Sequence, residues 1–329
     1  MYQPESYAVS LAFMIISMVC WGSWANTVKL CPGYRFQLFY WDYVIGLMAG
    51  TVAWGLTLGS LGATGLPFLE SVSITSVHAA LLAIAGGVVF NVANLLLVAA
   101  IELAGLAVAF PVGIGLALVV GALSSYVLSP KGNPVLLFCG VALVVAAIIF
   151  DALAYRQREA GRPRATTRSL IITLIAGLLM GTFYPLVSGA MSGEKGTGPY
   201  AAALFFSVGV AVCAVPMNYL LMRFPLDGSE PAAMREYSGA PMRWHIAGIL
   251  GGAIWCTGAM MNFLASKANI VGPAVSYSIG QGATMISAAW GVFIWHEFAS
   301  APSRSKSYLA LMFVLFICGL GAIAVVPLF

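Results

Sequence analysis

Asp42 lies seven residues after Arg35, within the apolar and aromatic run FQLFYWDYVIG. At about 1.5 Å per residue that is roughly 10 Å along a helix. Placing Asp at the centre of a helix in lipid costs about 2.5–3.5 kcal/mol, so this carboxylate needs a partner or a task. Three chemistries fit: a fixed ion pair with Lys29 or Arg35, reversible protonation during a conformational cycle, or contact with a bound solute. Trp21 and Trp24 are three residues apart on one helical face, with Asn26 and Lys29 following. Aromatic faces stack on ring-shaped molecules while an amide both donates and accepts, although Trp also anchors helices at a membrane surface. Tyr40 flanks Asp42. Asn91 and Asn94 repeat the three-residue spacing, and such mid-helix amides either meet a solute or join helices. Trp255 and Asn262 share a face seven residues apart, and Tyr277, Gln281 and Thr284 follow an i, i+4, i+7 stripe.

The elements that must carry these groups are apolar helices. The 329 residues are 61% hydrophobic and 8% charged, with a mean hydropathy of +0.95. Ten apolar stretches fill the chain, over 7–28, 36–60, 77–100, 103–128, 134–154, 169–190, 200–222, 244–266, 271–295 and 307–328. About 20 apolar residues span a hydrocarbon core of about 30 Å, and runs this long suit helices rather than barrel strands. The expected fold is an all-α membrane protein with ten transmembrane helices, its partners a lipid bilayer and a small-molecule solute. A homodimer is left open.

Twelve of the fifteen Lys and Arg fall on one side of that arrangement, and only Lys131, Lys195 and Lys267 on the side of the termini. The positive-inside rule then puts both termini outside the cell membrane and the basic linker at 155–168 in the cytoplasm. The net charge of +4 therefore reflects topology, and no nucleic-acid partner is expected. The six cysteines lie mostly within spans and lack metal-ligand spacing, so no metal is expected. His296-Glu297 lacks the second His of a zinc-protease motif, and no nucleotide loop or nucleophile–base pairing is present. Neither a cofactor nor enzymatic activity is expected. His78 and His245 read as interfacial.

The linker divides the chain into repeats at 1–154 and 169–329. Five spans per half is an odd number, so equivalent halves must be inverted, as in many secondary transporters. A shift of 165 residues places Gly86-Gly87 on Gly251-Gly252 and Ile114-Gly115 on Ile279-Gly280. Spans five and ten read as bland apolar braces, whereas the other eight hold most of the polar residues.

The segments MVCWGSWANTVKL (18–30) and YRFQLFYWDYVIG (34–46) resemble the start of the ureide permease and glucose/ribose porter-like branch of the drug/metabolite transporter superfamily. That resemblance implies a 5+5 inverted-repeat bundle around a central cavity. It also implies small polar solutes, such as sugars, ureides or nucleobase-like heterocycles, often moved with protons. Plant ureide permeases carry a long cytosolic loop with a nucleotide-binding-like motif, whereas the linker here is short. An exporter of drugs or amphiphilic metabolites on the same scaffold is the alternative. The candidate solute-binding residues are Trp21, Trp24, Asn26, Tyr40, Asn91, Asn94, Trp255, Asn262, Tyr277 and Gln281. Asp42 and Lys29 are the candidates for proton coupling or an ion pair.

Overall fold

Lipid cannot hydrogen-bond the first amides of a helix, and the sequence supplies side chains that do. Ser76 Oγ accepts from the Ala79 amide at 3.2 Å, Asn133 Oδ1 accepts from Val135 and Leu136, and Thr166 and Ser169 form a reciprocal cap. The computed structural model describes residues 1–158, 166–193, 195–226, 228–268 and 270–329, except the side chains of Leu106, Ala107 and Phe110. Half of the expected linker, 159–165, thus lies outside the described residues.

The first five long helices are α1 (Tyr7–Ser23), α2 (Phe36–Leu56), α3 (Val77–Ala104), α4 (Gly115–Leu128) and α5 (Pro134–Arg158). The second half has α6 (Thr167–Ala190), α7 (Pro199–Arg223), α8 (Met242–Lys267), the short α9 (Pro273–Gly280) and α10 (Ser303–Val325). No strand occurs among the described residues. The protein is all-helical, and nine of its described segments are long and apolar enough to cross a membrane.

The expected span at 271–295 is not one helix. It divides into α9, a second piece at Ala283–Ala289 and a π-helical turn at Trp290–Ile294. The span expected at 103–128 is also irregular at its start, where a short helix (Leu106–Ala109) and a π turn (Phe110–Ile114) precede α4. Pro111 contributes no amide hydrogen to that ladder. Gly105 and Gly272, which introduce the two irregular segments, have φ of 74° and 79°, a region that suits glycine. Past its regular part, α1 tightens into a 3₁₀ stretch, Trp24–Leu30.

Both chain ends lie at one end of the bundle. Tyr2 bonds to Leu58 just beyond α2, and the Tyr7 hydroxyl donates to the Ala324 carbonyl near the end of α10. The opposite end, here the linker end, holds Lys29, Arg158 and Glu297.

Packing follows a repeating rule. Helix α3 packs on α6 and α7, and α4 packs on α6; α8 packs on α1 and α2, and α9 packs on α1. The other main pairs are α2–α7, α4–α9 and α5–α10, and slighter contacts such as α8–α9 and α7–α8 add to them. Advancing every label by five, cyclically, returns these main pairs, although the slighter α8–α9 and α7–α8 have no counterpart of similar extent. The tightest crossings match as well. A β-carbon on Gly87 would overlap the Phe206 carbonyl, and one on Gly252 would overlap that of Tyr43. Gly209 stands in the same relation to Ile84, and Gly46 to Ile249. Small residues at such points let helix backbones approach closely.

Candidate functional site

A cavity of about 270 Å³ opens among α1 and its 3₁₀ extension, α3, the π turn before α4, α6, α8 and the broken α9 segment. Its apolar wall includes Trp21, Trp24, Phe90, Phe183 and Trp255, and its polar groups are Asn94, Gln281, Thr284 and Ser287. Trp21 and Trp255 stack with ring centroids 5.8 Å apart, and Phe90 lies 4.3 Å from Trp255. The aromatic surface is therefore assembled before any solute arrives. No charged side chain is among the described residues lining it. Gln281, Thr284 and Ser287 fall three residues apart, and the break after α9 leaves them on the same cavity wall. Among the described residues their side chains make no hydrogen bond, so their donors and acceptors remain available.

Five of the ten expected solute contacts line this cavity: Trp21, Trp24, Asn94, Trp255 and Gln281. The other five do not. Asn262 is fully buried and joins helices: it accepts from the Tyr184 hydroxyl and donates to Ser17 Oγ (3.1 Å) and to the Ser276 carbonyl (3.0 Å). Ser276 Oγ donates back to Asn262 Oδ1 at 3.0 Å. The Tyr277 hydroxyl reaches the carbonyls of Ala117 (3.1 Å) and Met180 (3.3 Å), tying α9 to α4 and α6. These bonds lie beyond the cavity toward the terminal end and form a plug there. Tyr40 is buried beside the wall, donating to Asn91 Oδ1 at 2.9 Å and standing 3.4 Å from Asn94 Nδ2. Asn91 Nδ2 and Trp21 Nε1 are buried with no hydrogen-bond partner among the described residues.

Asn26 belongs to a separate cluster at the linker end, where Asn26 Oδ1 accepts from Trp295 Nε1 at 2.6 Å. Trp290 Nε1 donates to Ser23 Oγ at 2.9 Å, so the ends of α1 and the broken segment are fastened together. Lys29 completes the fastening. Its ammonium lies 2.5 Å from Glu297 Oε1, while Arg158 at the end of α5 lies 2.7 Å from Oε2. Burial raises the pKa of Glu297, but the hydrogen bonds and charges of Lys29 and Arg158 outweigh it and hold the carboxyl below its ordinary value.

Asp42 engages neither Lys29 nor Arg35. Arg35 instead faces Glu236 at 3.8 Å and bonds the Glu230 carbonyl. Asp42, 2% exposed, accepts from the Tyr237 hydroxyl at 2.7 Å, and His245 Nδ1 lies 2.8 Å from its other oxygen. Tyr237 belongs to a short helix, Met234–Ser238, outside the spans. Burial, then the Asp42 hydrogen bond and charge, pushes its hydroxyl up to about 12. His245 is thus a partner of Asp42, a role its interfacial position did not suggest. Their sequence separation of 203 residues hides the contact. Glu297 carried a legible signal, being an acid just past a span on the strongly basic side.

Bundle and cavity together define a polytopic membrane protein with an internal site for a small molecule, and comparison with known proteins agrees. Residues 13–326 match the sugar transport protein family, and the chain belongs to that family. It is similar to ureide permease 1 of Arabidopsis thaliana, with 22% identity and 96% of each chain covered, and to ureide permease 2, with 24% identity and the same coverage. The first alignment extends over 382 positions, so that relative carries residues this shorter chain lacks. One crystal structure of a protein superposes over 96% of each chain with a TM-score of 0.64 at 16% identity, a likeness of fold. The protein is a membrane transporter of small solutes and not an enzyme.

Proposed function

We propose that the protein is a secondary carrier for a neutral, ring-bearing polar solute, such as a sugar, an uncharged ureide or a nucleobase-like heterocycle. The cavity carries this reading: stacked aromatic surface faces four hydrogen-bonding side chains, with no charged group among the described residues of the lining. A pyranose or planar ureide offers apolar faces to such a wall and hydroxyls or amides to Asn94, Gln281, Thr284 and Ser287. A lining without a carboxylate among the described residues disfavours the lipophilic cations typical of drug exporters.

The broken α9 segment is the tenth crossing in this proposal, giving two repeats of five crossings in opposite orientation. The cyclic packing rule and the matched glycine crossings support that arrangement, and an odd number of crossings per repeat requires inversion. The moving bodies combine both repeats. Helices α1, α2, α8 and α9 pack as one group and α3, α4, α6 and α7 as the other. The cavity extends from mid-bundle toward the linker end, while the Tyr184–Asn262 and Tyr277 bonds close the terminal end. Rocking the groups would part those bonds and close the linker side, which is alternating access. The basic residues support a cytoplasmic linker and termini outside.

Transport is proton-coupled in this reading. Asp42 and His245 are one acid–base element near the linker end that the cycle could use. The experiment is counterflow in proteoliposomes with radiolabelled D-glucose, allantoin and tetraphenylphosphonium. Saturable exchange of the sugar or the ureide is expected. Exchange of the lipophilic cation alone would favour the exporter, and exchange of none of the three would remove this solute assignment.

A further inference from the structure

The apolar fifth helix contains an acid that nothing above employs. Asp151 on α5 is fully buried, and among the described residues neither carboxyl oxygen has a hydrogen-bond partner. Its neighbours one turn away on the same face, Ala147, Ile148, Ala154 and Tyr155, are buried too, in a core shared with Leu309 and Met312 of α10. A carboxylate without a donor in such surroundings is among the costliest groups a membrane helix can hold, whereas the neutral acid loses far less. Asp42 makes the contrast plain, since both of its oxygens are engaged.

We infer that Asp151 is a proton-binding residue of the transport cycle, separate from the Asp42–His245 pair: protonated in the conformation described here, and ionised in the state that opens at the terminal end. This rests on the carrier proposal above. The mechanical link lies in the packing. Helix α5 packs against Leu106–Ala109 and the π turn Phe110–Ile114, the irregular start of the fourth crossing, and Ile114 of that turn lines the solute cavity. A π turn already departs from regular helix hydrogen bonding, so it can rearrange without melting a whole helix. Ile114 also packs against the core that holds Ala147, Ile148, Ala154 and Tyr155, so moving that segment would disturb the surroundings of Asp151 through this core and the cavity at the same time. The proton enters from linker-side water as the carboxylate becomes an acid, and it leaves to water that the rearranged segment admits from the terminal side.

Charged and titratable groups on the elements around Asp151 lie mainly at the linker end. They are Tyr155, Arg156 and Arg158 on α5, Glu297 ahead of α10, Arg304, Lys306 and Tyr308 on α10, and Glu102 near the end of α3. Tyr126 of α4, Cys139 of α5 and Cys318 of α10 lie toward the other end, and the Leu106–Ile114 and Val326–Leu328 segments bring none. Arg158 is engaged by Glu297.

Infrared spectroscopy of the whole protein in lipid bilayers tests the inference without a solute. The carboxylic-acid carbonyl band at neutral pH should diminish in Asp151→Asn, and in the wild type that component should vanish as pH rises. An unchanged band in the variant, or a component that never titrates while the protein stays folded, overturns the proposal. Flux supplies the second arm, with D-glucose and allantoin as probes. Asp151→Asn should lose accumulation driven by a pH gradient yet retain exchange, and accumulation at the wild-type level would also overturn it. If the wild type exchanges neither probe, the solute assignment fails while the infrared result still decides Asp151.

Discussion

The terminal-end plug and the linker-half cavity are built from similar residues and differ in how their polar groups are used. In the plug, Asn262 is fully engaged by Tyr184, Ser17 and Ser276, and Tyr277 bridges two backbone carbonyls. In the cavity, Gln281, Thr284 and Ser287 make no such bonds among the described residues. Residue type separates the two regions poorly, because asparagine, serine and aromatic residues serve in both. Unused hydrogen-bonding capacity next to open volume separates them well. A carrier needs the contrast: one region must bind and release a solute, and the other must hold a conformation that can be undone.

The largest effect expected beneath this comparison is at the framework common to both regions. Gly252→Val should destabilise the protein at or above the upper end of about 1–3 kcal/mol, because the added carbons overlap the Tyr43 carbonyl at the α2–α8 crossing. The thermal unfolding midpoint in detergent measures this, and a wild-type midpoint would show that the crossing is looser than described. Asn262→Leu comes next. Interhelical bonds in membranes average about 0.6 kcal/mol, so removing this set should cost about 2 kcal/mol and lower the midpoint less than Gly252→Val does. The variant should also expose the terminal side of the cavity to water-soluble thiol reagents at an introduced cysteine. An unaffected midpoint and unchanged labelling would mean that the plug does not hold the closed state.

Gln281→Ala should do the opposite, leaving the midpoint unchanged while weakening half-saturation of exchange about tenfold, equivalent to about 1.4 kcal/mol. If stability falls and affinity does not, Gln281 belongs with the plug. The smallest effect concerns the linker-end fastening. The native carboxyl of Glu297 is held below its ordinary value, so its contribution is fully present above the unfolded value and is lost as pH falls through the native one. Acidification should therefore loosen the junction of α1 with the broken segment. Partly exposed ion pairs are worth about 0–1 kcal/mol, so the shift should be small, weakened by salt and absent in Glu297→Gln. A pH response that survives in that variant would place its origin elsewhere.

Hydropathy located the helices well because length and apolarity are what lipid demands of a crossing. The stretch expected at 200–222 corresponds to Pro199–Arg223, and that at 134–154 to Pro134–Arg158. The break after α9 escaped the same reasoning. Composition at 271–295 satisfies a crossing but says nothing of which carbonyl each amide reaches, and the interruption depends on packing against α1 and α4. Trp21, Asn94, Trp255 and Gln281 were legible as site residues through helical spacing. Asn262 and Tyr277 satisfied the same spacing, and only their partners on other helices reveal that they join the bundle. Asp42 stood out by chemistry, yet His245 and Tyr237 lie about 200 residues away in sequence. Asp151 follows directly on a run of apolar residues and was overlooked as part of a bland helix.

Access to Ser287 is the most direct test of a solute cavity that opens alternately between two helix groups. A single cysteine at that position, with the native cysteines replaced, can be labelled in oriented proteoliposomes by a membrane-impermeant thiol reagent added to either side. The account predicts rapid labelling from the linker side, protection by a saturating transported solute, and slow labelling from the terminal side that accelerates with Asn262→Leu. Labelling from neither side, with reaction only toward a lipid-soluble reagent, would place Ser287 against acyl chains and contradict the cavity itself.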